Sequence, residues 1–249
     1  MTALQQADVG NLLLRYLSAD DFALLQPYLS RLNLPVRTPL YDPNTPIHHV
    51  YFPEGGVASI VAEQEEGDKV EVGLFGYEGM SGTPIILGAG QSPQASMIQV
   101  NGAPAIRMEA GDFTAACDRS SSLRLLLLRF VQAMNVQAAS TAAANAHYAL
   151  PERLARWLLM CHDRVDSDHL ELTHEFMSMM LAVRRSSVTV TLHTLEATHA
   201  IRATRGVITI LDRARLEEMA AESYGGPEAE YRRLVGPFGK GKHGIKSVA

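Results

Sequence analysis

The stretch Leu172–Leu195, LTHEFMSMMLAVRRSSVTVTLHTL, constrains the fold more than any other part of the chain. Thr173 is a good N-cap, and Phe176, Met177, Met180 and Leu181 follow it at helical spacing. Ala182-Val183 then leaves a compact break. Val188, Leu192 and Leu195 stand at i, i+4 and i+7, so a second helix with one apolar stripe is predicted. Its other face carries Arg185, Ser186, Thr189 and His193, side chains polar and small enough to enter a groove. Two short helices, a tight turn and a polar face opening on an arginine pair form the pattern of a DNA-reading helix-turn-helix. Ile201–Leu211 adds two apolar β runs around Thr204-Arg205-Gly206, a hairpin turn signal, which makes the unit a winged helix. The alternative is a helical hairpin and β-turn in the cap domain of an enzyme.

Upstream, Ser18 and Asp21 form a capping box that opens a helix through Phe22, Leu25 and Leu29. Pro and Gly then punctuate short β-like runs at His49–Phe52, Val57–Ala62, Lys69–Leu74, Met97–Val100 and Ala105–Met108. Short strands at this spacing suggest a sandwich or jelly roll rather than a parallel sheet. A long helix follows from Ser122 to Tyr148, with Leu123, Leu127, Phe130, Met134, Ala138 and Thr141 on one stripe. That stripe is read as a dimer interface, the alternative being that it packs on its own β domain. Pro151 marks a boundary near Leu150, and Glu152–Arg164 is an amphipathic helix leading into the helix-turn-helix. Residues 222–249 show little pattern and are read as a mobile tail.

A chain of 249 residues with 47% hydrophobic residues suffices for two domains with real cores. No run approaches the ~18 apolar residues of a membrane helix, and Met1–Gln6 lacks the regions of a signal peptide. Cys117 and Cys161 imply no disulfide framework. A cytoplasmic protein with no membrane partner is expected. The net charge of −5 hides an asymmetry: residues 1–150 hold 8 basic and 14 acidic side chains, residues 151–249 hold 14 and 13. Within 171–215 the count is 6 basic to 4 acidic. That excess is modest for a DNA binder, so two copies of the basic face per complex would help.

A β-roll, a long helix, the E-R-L-A-x-x-L-L helix of Glu152–Leu159 and a winged helix, in that order, resemble the Crp/Fnr family of bacterial transcription factors. The most specific pieces are Glu152-Arg153-Leu154-Ala155, Leu172-Thr173, and Ile208-Thr209-Ile210-Leu211-Asp212 with Leu216 after it. The resemblance spans about residues 15 to 220. It implies an α+β fold with four parts. These are a β-roll sensor domain (1–120), a dimerisation helix (121–149), a winged helix-turn-helix DNA-binding domain (150–221) and the tail (222–249). It further implies a homodimeric DNA-binding regulator, with double-stranded DNA and RNA polymerase as partners.

By position, Arg185 matches a base-reading residue of the family. Ser186 falls where a Glu is usual, and Val190 where many members keep a base-reading Arg. Thr173, Arg184 and Ser187 match phosphate-contacting positions. Arg205, at the hairpin turn, is expected to touch phosphate as well. The departures at Ser186 and Val190 argue against the best-known operator of the family, not against DNA binding. Cyclic-nucleotide-binding members carry Gly-Glu followed by an Arg-Ser/Thr-Ala triplet. Here the segments are Gly82-Thr83 and Pro93-Gln94-Ala95, with no Arg between Gly82 and Met97. A buried cyclic phosphate would lack its counter-charge. Gly79, Gly82, Thr83, Gln94 and Ala95 are therefore candidate lining of a pocket for some other effector, or relics of a roll kept as a scaffold. No cofactor is implied. The rival reading is a ligand-binding or interaction module that has lost DNA binding.

His48, His49 and Glu54 invite a metal reading, but adjacent residues on a strand face opposite ways. Cys161, His162, His169 and His174 lack the usual zinc spacing, and His162 and His169 are expected at the surface beside a turn. Gly76, Gly79 and Gly82 lack the following Lys of a phosphate-binding loop and read as turns of the roll. Met177, Met179 and Met180 are expected to fill the core, and Trp157 and Leu158 to pack between the domains. With no nucleophile–base pair in view, an enzyme is not expected.

Overall fold

The structure is a computed structural model that describes residues 4–63 and 69–240. Its N-terminal part runs α1 (Leu12–Arg15), α2 (Ala19–Leu25), β1 (Ser30–Leu34), β2 (Pro39–Tyr41), β3 (His49–Pro53), β4 (Val57–Glu63), β5 (Lys69–Phe75), α3 (Thr83–Ile86), β6 (Ala95–Val100), β7 (Ala103–Glu109) and α4 (Ala110–Arg119). The long α5 (Ser121–His147) follows. The C-terminal part runs α6 (Leu150–His162), β8 (His169–Glu171), α7 (His174–Met180), α8 (Arg185–Ala197), β9 (Ile201–Thr204), β10 (Val207–Ile210), α9 (Arg213–Ala220) and α10 (Gly226–Leu234).

The roll is two antiparallel sheets, β1-β7-β3 and β2-β6-β4-β5. Alternation sets its faces: on β3, Val50 and Phe52 are buried while His49 and Tyr51 are half-covered. The Ser18 hydroxyl accepts from Asp21 N at 3.1 Å and starts α2 as the capping box predicts. Residues of α1, α2, α4 and α5 close over β3 and β7 in one core that includes Leu13, Leu25, Phe52, Phe113 and Phe130.

At 27 residues α5 is roughly 40 Å long. It is seated on the roll by the stripe expected to face a partner. Leu123, Leu127 and Phe130 are buried among Phe52, Phe113 and Met108 of the same chain. Their bulk fills the deepest apolar space within reach, and the Gln137 side chain accepts from Leu74 N at 2.9 Å to fix the helix against β5. Those three residues are not a dimer surface; Met134 is half-buried beside them, Thr141 is half-buried, and Ala138 is exposed. The exposed face instead carries Leu125, Leu128, Gln132, Asn135, Ala139, Ala142 and Ala146, spaced alternately by three and four residues.

Tyr148 and Ala149 break the chain between α5 and α6, and Glu152 folds back to accept from Ala149 N at 2.6 Å. The core built on α6 continues into the roll: Leu154, Trp157 and Leu158 share a cluster with Val57, Val61, Leu74 and Val100.

The C-terminal segment departs from expectation. Up to residue 240 it is no mobile tail, while residues 241–249 lie outside the described part. Pro227 occupies the first turn of α10, and Glu228 accepts from Gly225 N at 3.1 Å. Tyr231 and Phe238 then bury their rings in the core of the roll and α5. The two buried rings, the helix hydrogen bonds of α10 and the Lys240 N bond to Asp163 together hold the stretch in place.

Candidate nucleic-acid interface

The Thr173 hydroxyl caps α7 by accepting from Phe176 N at 3.2 Å. Ala182 takes φ = +52° in the turn, and Val183 N closes it onto Ser178 O at 2.9 Å. Val188, Leu192 and Leu195 bury one side of α8 against α6 and α7. Arg184, Arg185, Ser186, Val190 and His193 are consequently exposed, and Ser187 is half-buried. Among the described residues neither Arg184 nor Arg185 forms an ion pair. Two free guanidinium groups thus stand at the N-terminal end of a helix whose polar side faces solvent.

The remaining expected contacts differ in availability. Thr189 is half-buried, its hydroxyl held between His174 Nδ1 at 3.0 Å and Arg185 O at 3.2 Å, so it ties α8 to α7. His193 lies 3.3 Å from Glu196. Val190 is 67% exposed, an apolar side chain with no packing role inside the chain. Arg205 sits exposed in the two-residue turn between β9 and β10, where Gly206 takes φ = +78°. The wing has a third strand: β8 pairs with β10, and Asn101 of the roll bridges to it by donating to His169 O at 3.1 Å and accepting from Glu171 N at 3.0 Å. With only three residues, β8 offers too short an alternation to be seen in advance.

Buried polar groups on and just after α6 bond both to the roll and within the C-terminal part. Arg164 Nε meets Glu78 Oε1 at 2.7 Å, with both side chains almost wholly buried. Gly76 N donates to the other Glu78 oxygen at 3.0 Å, and the Phe238 ring lies 4.9 Å from the guanidinium. Asp163 accepts from Arg213 at 2.8 Å and from Lys240 N at 3.0 Å. Glu71 accepts from Trp157 Nε1 at 2.7 Å and from the Ser59 hydroxyl. Burial pushes the Glu71 carboxyl up to about 7, against those two hydrogen bonds. His162 is not a surface residue: it is buried between Asp168 at 2.8 Å and Arg213 at 3.0 Å, and burial lowers its pKa. His169 is exposed and bonds Thr209. Met177 and Met180 are core, whereas Met179 is exposed.

The candidate effector residues sit within the packing of the roll. Gly79 is buried; its amide donates to Gly76 O at 3.0 Å, and a Cβ there would come within 2.8 Å of the Phe130 ring. A Cβ on Gly82 would come within 2.8 Å of Val50. Gly79 serves close packing, and Gly82 also takes a left-handed φ of +79°. Thr83 and Ala95 are half-buried, and Gln94 N is bonded to the Ser92 hydroxyl at 3.1 Å. The candidate metal residues are also apart in their bonding: His49 pairs with Glu109 at 2.8 Å, and Glu54 with Arg31. No helix among the described residues is long and apolar enough to cross a membrane.

Residues 152–219 match the family model of the Crp-like helix-turn-helix domain. No curated protein matches the sequence. Among solved structures, a crp/fnr-family transcriptional regulator from Eubacterium rectale aligns with a TM-score of 0.66 at 17% identity, over 85% of this chain and 98% of its own. A CRP-family regulator from Thermus thermophilus gives 0.63 at 19% identity, over 77% of this chain and 96% of its own. FixK2 from Bradyrhizobium japonicum gives 0.64 at 14% identity, over 78% and 98%. The chain therefore has the fold of the Crp/Fnr transcriptional regulators and carries, over residues 152–219, their Crp-like helix-turn-helix DNA-binding domain.

Proposed function

We propose that this chain is a sequence-specific DNA-binding transcriptional regulator that works as a homodimer and does not take its signal from a cyclic nucleotide. The observation that carries the reading is the free, exposed Arg184-Arg185-Ser186 corner of α8, backed by a buried stripe that fixes which face looks outward. Arg185 is the leading base reader, suited to guanine O6 and N7. Ser186, Val190 and His193 shape the rest of the base contact, with Thr189 acting through its hold on α7. Thr173, Arg184, Ser187 and Arg205 meet phosphates and set register. The dimer forms through the exposed Leu125, Leu128, Gln132 and Ala139 face of α5, which places two reading helices on successive major-groove turns. A cytoplasmic location and contact with RNA polymerase follow from the same reading, and no catalytic role is assigned.

Cyclic AMP has no counter-charge to meet at Gly82–Ala95, so DNA affinity should not change when it is added; micromolar binding by calorimetry would contradict this. Arg185→Ala should weaken operator binding by ~1–3 kcal/mol per half-site and relax the preference at one base pair. Equal loss on operator and random DNA would remove Arg185 from the base-reading role.

A further inference from the structure

Where α5, α6, β5 and the α7–α8 turn meet, a cavity of about 20 Å³ is lined by Glu71, Gln137, Thr141, Arg153, Arg156 and Trp157, among others. Each arginine is anchored by one nitrogen and leaves another without a partner. Arg153 donates from Nη2 to Leu181 O at 2.8 Å, at the end of α7, while its buried Nε has no acceptor. Arg156 donates from Nε to Ser223 O at 2.8 Å, at the start of the C-terminal segment, while its buried Nη2 has none. Arg156 as a whole is 5% exposed. Of the acceptors nearby, Glu71 is bonded to Ser59 and Trp157 and Gln137 Oε1 to Leu74 N, and none meets either free nitrogen. Neither arginine forms an ion pair among the described residues.

We infer that this cavity is a binding site for one small monovalent inorganic anion of about the size of chloride, held between Arg153 Nε and Arg156 Nη2. A water would satisfy the donors but leave the buried Arg156 guanidinium, with the half-buried Arg153 beside it, without an anion in contact, the costlier half of the problem. The volume exceeds the ~10–15 Å³ that one water needs and is too small for sulfate or phosphate. Glu71 and Glu228 act on Arg156 without forming an ion pair with it, and burial favours the neutral form of both. Through its two holders the anion joins the helix-turn-helix turn at Leu181 to the C-terminal segment at Ser223. Its presence therefore stabilises the seating of the reading head on the long helix. This holds whether or not the head reads DNA.

Thermal unfolding of the full chain tests it in sodium chloride against sodium gluconate at equal ionic strength. Tm should rise with the logarithm of chloride concentration above its Kd, by roughly 3–6 °C once chloride reaches ten times that value. Ala144→Val places two methyl groups in the cavity wall without touching either guanidinium anchor, and should remove the chloride response while the protein stays folded. Arg156→Gln should remove it as well. Crystals soaked in bromide should show an anomalous peak between the two arginines. Identical Tm values in chloride and gluconate, or a site with no anomalous signal, would overturn the assignment in favour of water.

Discussion

Arg164→Ala is expected to lower the unfolding free energy by about 3–5 kcal/mol, measured by urea denaturation. The size follows from what remains behind. Glu78 and Arg164 have side-chain exposures of 2% and 3%, and their 2.7 Å contact is the charge pair that lets both stay inside. Removing the guanidinium strands a carboxylate whose other neighbours are the Gly76 amide and the covering Tyr231 and Phe238 rings. It also removes the ring contact to Phe238, loosening the segment that covers the pair. Glu78→Gln combined with Arg164→Met removes both charges at similar volume and should recover most of the loss, since the penalty lies in the unpaired ion rather than in the missing bond. A single-variant loss below about 1 kcal/mol would mean that water reaches the pair and that the joint between roll and wing domain is open in solution.

The second large effect separates two residues only two positions apart on α5. Phe130→Asp is expected to abolish folding, because it opens a cavity worth about 3–5 kcal/mol and buries an unpaired carboxylate beside Gly79. Leu128→Asp is expected to leave the circular dichroism spectrum unchanged and to yield a monomer, because Leu128 is 40% exposed on the free face of α5. Loss of the second reading head should weaken operator binding by ~10²–10⁴-fold. Sedimentation of the folded Leu128→Asp variant as a dimer would place the interface elsewhere; a folded Phe130→Asp variant would undo the assignment of that stripe to the core.

The contrast also shows what the sequence could and could not say. The helix-turn-helix was legible because Val188, Leu192 and Leu195 bury against neighbours close in sequence, so the apolar period alone defines the outward face. In α5 the period was equally clear but its partner was not. The helix carries two apolar stripes, and only the surroundings of Phe130 decide that the bulky one belongs to the roll. Ala138 and Thr141 continued the wrong line, while Leu125 and Leu128, followed by small residues, marked the free one. The Glu78–Arg164 pair spans 86 residues and leaves no local trace. Helix α10 did leave one, in Gly225-Gly226-Pro227-Glu228 with Arg232-Arg233 in the last turn. The low apolar content of that segment hid it, since two aromatic rings do most of the anchoring. In the roll, Gly79 and Gly82 look like ligand-binding glycines by spacing, yet Gly79 owes its small size to Phe130, and Gly82 to its left-handed φ of +79° and to Val50.

The central claim is that two copies of the α8 corner read DNA together, and selection of bound sequences from a random double-stranded library tests it most directly. The expected product is an inverted repeat whose half-site centres lie about one helical turn, ~34 Å, apart. It should be recovered without added cyclic nucleotide, and its affinity should fall steeply with salt. Selection with Arg185→Ala should lose information at one base pair in each half-site. Failure to retain any DNA at about 50 mM salt, or enrichment of no common sequence, would contradict the account and leave a regulator fold that no longer reads DNA.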